Sequence, residues 1–289
     1  MRTVARILST SNYIRFHNVL DRVRIGRPHM NRCFCCFVSL LILGASHSAL
    51  AQVSKIRFDP NQTVLEEVRK MPLQGGYSPA ESTNDIMMEA VRVADNQLQI
   101  DASLARPNHC AEATYIVFLE ALRQLVPATA TSPLASALAA HHEKDGIGVW
   151  GRWNANGPGT ACLFYQLGLG RNFTSWKEAR AGDFMKIFWA EQVGRNEHGH
   201  SAIYLDQSRD VQTGEEQVRF WSSNESTRGF GFRTVPKSRI KAVIFSRLEH
   251  PGAILKAPEL SPVDPYLASL QAVDSSLPEA LAYSGIKAN

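Results

Sequence analysis

An α+β domain, with helices first and an antiparallel sheet after them, is the fold that the sequence predicts. Two observations carry the prediction. Apolar residues recur at helical spacing in the first half of the chain, whereas the second half breaks into short β-branched and aromatic runs separated by Gly, Asn, Asp and Ser clusters. Helices followed by consecutive strands pack as segregated layers rather than as alternating βαβ units.

Taken in order, the first helix is expected within 78–97, where Ile86, Met87, Ala90, Val91 and Ala94 share a face. The second, over 108–126, is the stronger: Ala113, Val117, Ala121 and Leu125 line one side, and Asn108 is the expected N-cap. A third is expected over 132–144, ending near Gly146. Strands are expected at "DFMKIFWA" (183–190), "HSAIYLD" (200–206), "QVRFWSS" (217–223) and "KAVIFSRL" (241–248). All five tryptophans lie between 150 and 221. Trp150 and Trp153 sit in the Gly/Asn-rich "GVWGRWNANGPGTA" and are expected to line a substrate cleft, with core packing as the competing expectation.

The ends of the chain differ from its middle. Residues 33–51, "CFCCFVSLLILGASHSALA", form an apolar run too short for a comfortable membrane span, with Arg32 before it and Ala49-Leu50-Ala51 closing it. This is the pattern of a secretory signal cut after Ala51, so 1–51 is read as a leader, with Met30 as the expected true start. An uncleaved N-terminal anchor is the alternative. Of the 31 Lys and Arg and the 27 Asp and Glu, seven and one lie in 1–51, which leaves 24 basic and 26 acidic residues. The apparent basicity thus belongs to the leader, and nucleic-acid binding loses its compositional support. Residues 52–74 form an N-terminal extension and 75–248 the working domain. The Pro-, Ala- and Ser-rich 249–289 is expected to be a loosely docked or disordered tail.

Three of the five cysteines leave with the leader, and Cys110 and Cys162 remain. Cys110 falls in the first turn of the second helix, where free amide N–H groups and the helix dipole favour a thiolate. A cysteine nucleophile also needs an imidazole within reach. His200 opens a predicted strand, and the next strand carries the polar "SSN", in which Ser222 and Asn224 alternate onto one face with Phe220. Asn224, with Ser222 as runner-up, is the expected partner for the second nitrogen of His200. His198 lies in a charged loop and is expected to be a solvated neighbour. Cys on a helix, His on a strand and Asn on the next strand is a papain-type order.

Four segments in sequence, "HCAEATYIVFLEAL", "AGDFMKIFW", "GHSAIYL" and "FWSSN", resemble the NlpC-type family of papain-like cell-wall cysteine peptidases and amidases. Cys110, Gly182-Asp183 and Gly199-His200 through Tyr204 match the family's nucleophile, its turn into a hydrophobic strand and its base-bearing strand. The resemblance spans about 105–225. One departure is Glu112, which stands where the family has a small residue; its place near the helix start reads as structural or as a contact to a substrate amine. The resemblance implies a nucleophile helix packed on the sheet and acyl-enzyme hydrolysis of an amide bond in peptidoglycan stem peptides, with no cofactor. It assigns Cys110 as nucleophile and His200 as base; the motif does not fix the third position, for which Asn224 is the choice as orienting residue and Ser222 the runner-up. Trp150, Trp153 and Ser222 are the expected substrate contacts, read from the residues themselves. A periplasmic or secreted location agrees with the leader.

Two other readings compete. His198 and His200, one residue apart, suggest a metal pair, but no further His or Cys lies near them in sequence, so no metal site is expected. A Cys110–Cys162 disulfide, or a buried Cys110, would instead make the chain a secreted, non-catalytic domain that binds wall glycan or peptide.

Overall fold

The computed structural model describes residues 59–142 and 144–287. The expected leader, its expected cleavage site and the expected start at Met30 lie outside them. Among the described residues no helix is long and apolar enough to cross a membrane.

The chain begins with α1 (Pro60–Lys70), capped by the Asp59 carboxylate, and Val64 and Val68 on its inner face are buried. Part of the expected extension is therefore a packed helix. A short β1 (Gln74–Gly75) leads to α2 (Thr83–Ala90) and a hairpin of β2 (Val91–Ala94) and β3 (Gln97–Ile100). The helix expected over 78–97 thus stops at Ala90. Val91 and Val93 are β-branched, and Asp95 (φ 52°) and Asn96 (φ 58°) both take the left-handed conformation of a two-residue hairpin turn.

Helix α3 (Cys110–Leu125) is the spine of the domain and is buried along most of its length. The helix expected over 132–144 is instead a series of short turns around Pro133, namely α4 (Ala128–Thr131) and α5 (Ala135–Leu138). Next come α6 (Gly148–Asn154) and α7 (Gly159–Leu167), the latter closed by Gly168 at φ 70°. The strands are β4 (Gly170–Phe173), β5 (Phe184–Phe188), β6 (Gln192–Gly194), β7 (His200–Arg209), β8 (Glu216–Asn224), β9 (Gly229–Pro236) and β10 (Ala242–Leu248).

Seven strands form one sheet in the order β1-β9-β8-β7-β5-β10-β4, and every pairing is antiparallel. Period-two alternation divides the sheet's residues between two cores. Phe184, Ile203, Trp221 and Phe230 join the α3 side chains in one cluster, and Met185, Ile187, Ala202, Tyr204 and Phe220 pack in a second. The chain is therefore α+β with a large antiparallel sheet, as expected, and α3 lies across β7 and β8.

A buried ion pair fixes the turn into β5. Arg247 donates from Nε and Nη2 to the two Asp183 oxygens at 2.8 and 2.7 Å, and Asn61 Nδ2 and the Arg180 N–H add donors at 2.8 and 2.7 Å. The preceding Gly182 has φ +92°, and a Cβ there would lie 2.4 Å from the Asn61 carbonyl oxygen, so no side chain fits.

Residues 249–287 are folded, which corrects the expected loose tail. Turns over Pro251–Glu259 lead to α8 (Pro265–Ser269), β11 (Asp274–Ser276) paired with β6, and α9 (Leu277–Tyr283). Ile254, Leu267, Leu270 and Ala280 are fully buried. Three of the prolines that suggested disorder, Pro251, Pro265 and Pro278, stand at the starts of helical turns, where a missing N–H costs nothing.

Candidate active site

The first residue of α3 is Cys110, and its N-cap is His109 rather than the expected Asn108. The His109 Nδ1 accepts the Ala111 N–H at 3.3 Å, and Glu112 Oε2 accepts the His109 N–H at 2.8 Å, which closes a capping box. Glu112 is fully buried, which settles its role as structural and removes it as a substrate contact. Asn108 is buried too: its amide donates to the Ala105 carbonyl at 2.6 Å, and its own carbonyl accepts the Ser223 hydroxyl at 3.1 Å. The start of α3 is thereby tied to β8.

His200 stands at the head of β7. Its Nε2 lies 3.0 Å from Asn224 Oδ1, and Asn224 Nδ2 donates to the Ser222 carbonyl at 3.3 Å, so the amide oxygen faces the ring. Nε2 therefore carries the proton and Nδ1 remains for Cys110. Phe220 and Trp189 hold the ring edgewise and obliquely, with centroids 5.7 and 6.4 Å away.

Burial pushes the Cys110 thiol up, but the His200 charge and hydrogen bonds from His109 and His200 outweigh it and hold the sulfur well below the usual thiol range. Burial lowers the His109 imidazole, and Glu112 and Cys110 together overcome that and raise it. Cys110 thus stands at a helix N-terminus with two imidazoles that favour its thiolate form.

A cleft of about 1040 Å³ opens over these groups; Cys110, His109, His200, Tyr77, Lys186 and Trp189 are among the residues that line it. Burial and the neighbouring Cys110 and Glu225 charges raise the Tyr77 phenol, so it stays a hydrogen-bond donor. His198 sits on the rim, exposed, with Nε2 2.9 Å from the Arg195 carbonyl. Among the described residues no group of three or more His, Cys, Asp or Glu is arranged to hold a metal.

Three expected substrate contacts are not in the cleft. Trp150 and Trp153, 1 % and 0 % exposed, belong to α6 and stack into a core of Tyr115, Phe118, Phe164 and Phe184. Trp153 Nε1 donates to the Ala111 carbonyl at 3.1 Å, which satisfies its polar edge beneath the active helix. Ser222 is fully buried, and its hydroxyl donates to the Ser201 carbonyl at 2.6 Å across β7 and β8. Cys162 is a free thiol buried on α7 among Ala155, Tyr266, Leu267 and Leu270, whereas Cys110 is partly exposed and free. The two are not paired, which removes the disulfide form of the binding-domain reading. His109, Tyr77 and Lys186 were not among the expected site residues. The spacing His109-x-x-Glu112, and a lysine inside "DFMKIFW", were the signals present for two of them.

Compared with protein-family models, curated proteins and solved structures, the chain matches none of them.

Proposed function

We propose that the protein is an extracytoplasmic, papain-like cysteine hydrolase that cleaves an amide bond in peptidoglycan stem peptides. One observation carries the chemistry: Cys110 opens a helix in a cleft it shares with His200, whose far nitrogen is held by Asn224 at 3.0 Å. The family resemblance and the secretory leader supply the substrate class and the location.

In this reaction the Cys110 thiolate attacks the amide carbon, and the carbonyl electrons move onto oxygen. The Cys110 N–H and the Tyr77 hydroxyl are the donors available to that oxyanion. His200, protonated, gives its Nδ1 proton to the leaving nitrogen as the C–N bond breaks, leaving an acyl-enzyme. His200 then takes a proton from water, the hydroxide displaces the sulfur, and the acid product departs. Asn224 keeps the ring from turning throughout.

The test is turnover of purified peptidoglycan by the mature protein against Cys110→Ala, with fragments read by mass spectrometry. Soluble fragments from the wild type alone are expected, and their mass identifies the bond. Equal release from both proteins would end the hydrolase reading.

A further inference from the structure

Strand β5 reads Phe184-Met185-Lys186-Ile187-Phe188 and is buried at every position. A lysine is foreign to such a run unless its head group has a use. Lys186 is 4 % exposed. Among the described residues it joins no ion pair, and the protein offers its three N–H donors one acceptor, Ser201 Oγ at 3.3 Å.

The stem of Lys186 runs beneath the residue before His200. A Cβ on Gly199 would fall 2.6 Å from Lys186 Cε and 2.8 Å from Phe188 Cε1, and Gly199 has φ +75°. The glycine thus makes room for the lysine beside the base, in the cleft that Cys110 also lines. Burial lowers its ammonium, whereas the Cys110, Asp145 and Glu197 charges favour the charged form. Both carboxylates are engaged elsewhere. Glu197 accepts the N–H groups of Trp189, Ala190 and Gly199, and Asp145 accepts that of Asn156.

We propose that Lys186 forms an anion subsite in this cleft, which takes a carboxylate of the substrate next to the bond that Cys110 attacks. The proposal rests on the reading of Cys110 as the nucleophile. A carboxylate supplies acceptors for the spare N–H donors and neutralises a cation that burial otherwise disfavours. A carboxamide in the same place does neither fully, so the site selects peptides that carry a free acid there.

Alkylation of Cys110 by iodoacetate and by iodoacetamide tests this without any peptide. In both reactions the sulfur forms a bond to the methylene carbon and iodide leaves with the electron pair; the reagents differ in one negative charge. Lys186→Met preserves the length of the side chain and removes a desolvated cation, a change that cores tolerate. It is expected to slow iodoacetate about tenfold, the effect of one nearby charge, and to change iodoacetamide less than about twofold. An unchanged ratio of the two rates, or an equal fall in both, overturns the subsite. If the variant does not fold, the wild type answers: N-acetylglycine should protect Cys110 from iodoacetamide and N-acetylglycinamide should not, and equal protection overturns the proposal. The two readings fail separately. A ratio that falls without peptidoglycan turnover removes the hydrolase and keeps the subsite, and turnover with a constant ratio does the reverse.

Discussion

Replacing Asn224 by alanine removes one hydrogen bond from His200 and touches neither the nucleophile nor the cleft wall. The bond is 3.0 Å long and its acceptor residue is 1 % exposed. Its loss leaves the Nε2–H without a buried partner, at a cost of about 1–3 kcal/mol. Phe220 and Trp189 still hold the ring, so the imidazole is loosened rather than released. At 1.36 kcal/mol per factor of ten, kcat should fall roughly 5- to 150-fold. KM should hold, because Asn224 is buried behind the base. Asn224→Asp keeps an oxygen in place and should retain more activity than the alanine. The assay is steady-state hydrolysis of a soluble stem peptide by both variants, with thermal unfolding run alongside to confirm the fold. A kcat within twofold of wild type in a folded Asn224→Ala protein, or a loss confined to KM, would refute the orienting role.

Four further outcomes are expected. Iodoacetamide should label Cys110 alone in the native protein, since burial pushes the Cys162 thiol up; labelling follows the thiolate fraction, so the rise of the Cys110 rate with pH should come at lower pH than that of an ordinary thiol. His109→Asn keeps a good N-cap but loses an imidazole, so the midpoint of that profile should move up, by less than in His200→Asn because the His200 charge is the larger influence; chemical denaturation should place the variant within about 1 kcal/mol of wild type. Asp183→Ala strands Arg247 in the interior and should cost about 3–5 kcal/mol in urea unfolding. Deleting 249–289 strips Ile254, Leu267 and Leu270 from the core, at about 1.5–3 kcal/mol each, a large share of a typical domain's stability of about 5–15 kcal/mol; circular dichroism should find the truncated chain unfolded, and a native-like melting temperature would contradict the packing described.

What could be read in advance divides along physical lines. Helix α3 and strands β5, β7, β8 and β10 have strong apolar periodicity and were legible, as was the order Cys110, His200, Asn224, because residues on successive strands meet across a sheet. Over 78–97 the apolar helical spacing continues through Val91 and Ala94, whereas the Asp95-Asn96 turn folds those residues back as a hairpin. At Trp150 and Trp153 the neighbouring residues mislead. Gly146 and Gly148, both at positive φ, serve the entrance to a short helix, and the tryptophans are buried by the aromatic face of α3, which local composition does not disclose. Asn108 is the better capping residue by frequency, yet the N-cap is the next residue, His109. The carboxylate of Glu112 three residues after His109 decided otherwise. The folded stretch after Leu248 was hidden by its prolines and small residues, since its buried positions are too sparse to form a period.

The pairing of β6 with β11 bears on when the site comes into being. The segment that delivers His200 is gripped by chain much further on: the Asn196 N–H donates to Asp274 Oδ1, 78 positions away, and the Arg195 N–H to the Val273 carbonyl. On a ribosome, the sulfur at 110 emerges long before the residues that brace the imidazole at 200. A partly synthesised chain therefore lacks these two bonds, and the loop before β7 gains them only after the strand at 274–276 has been made and docked.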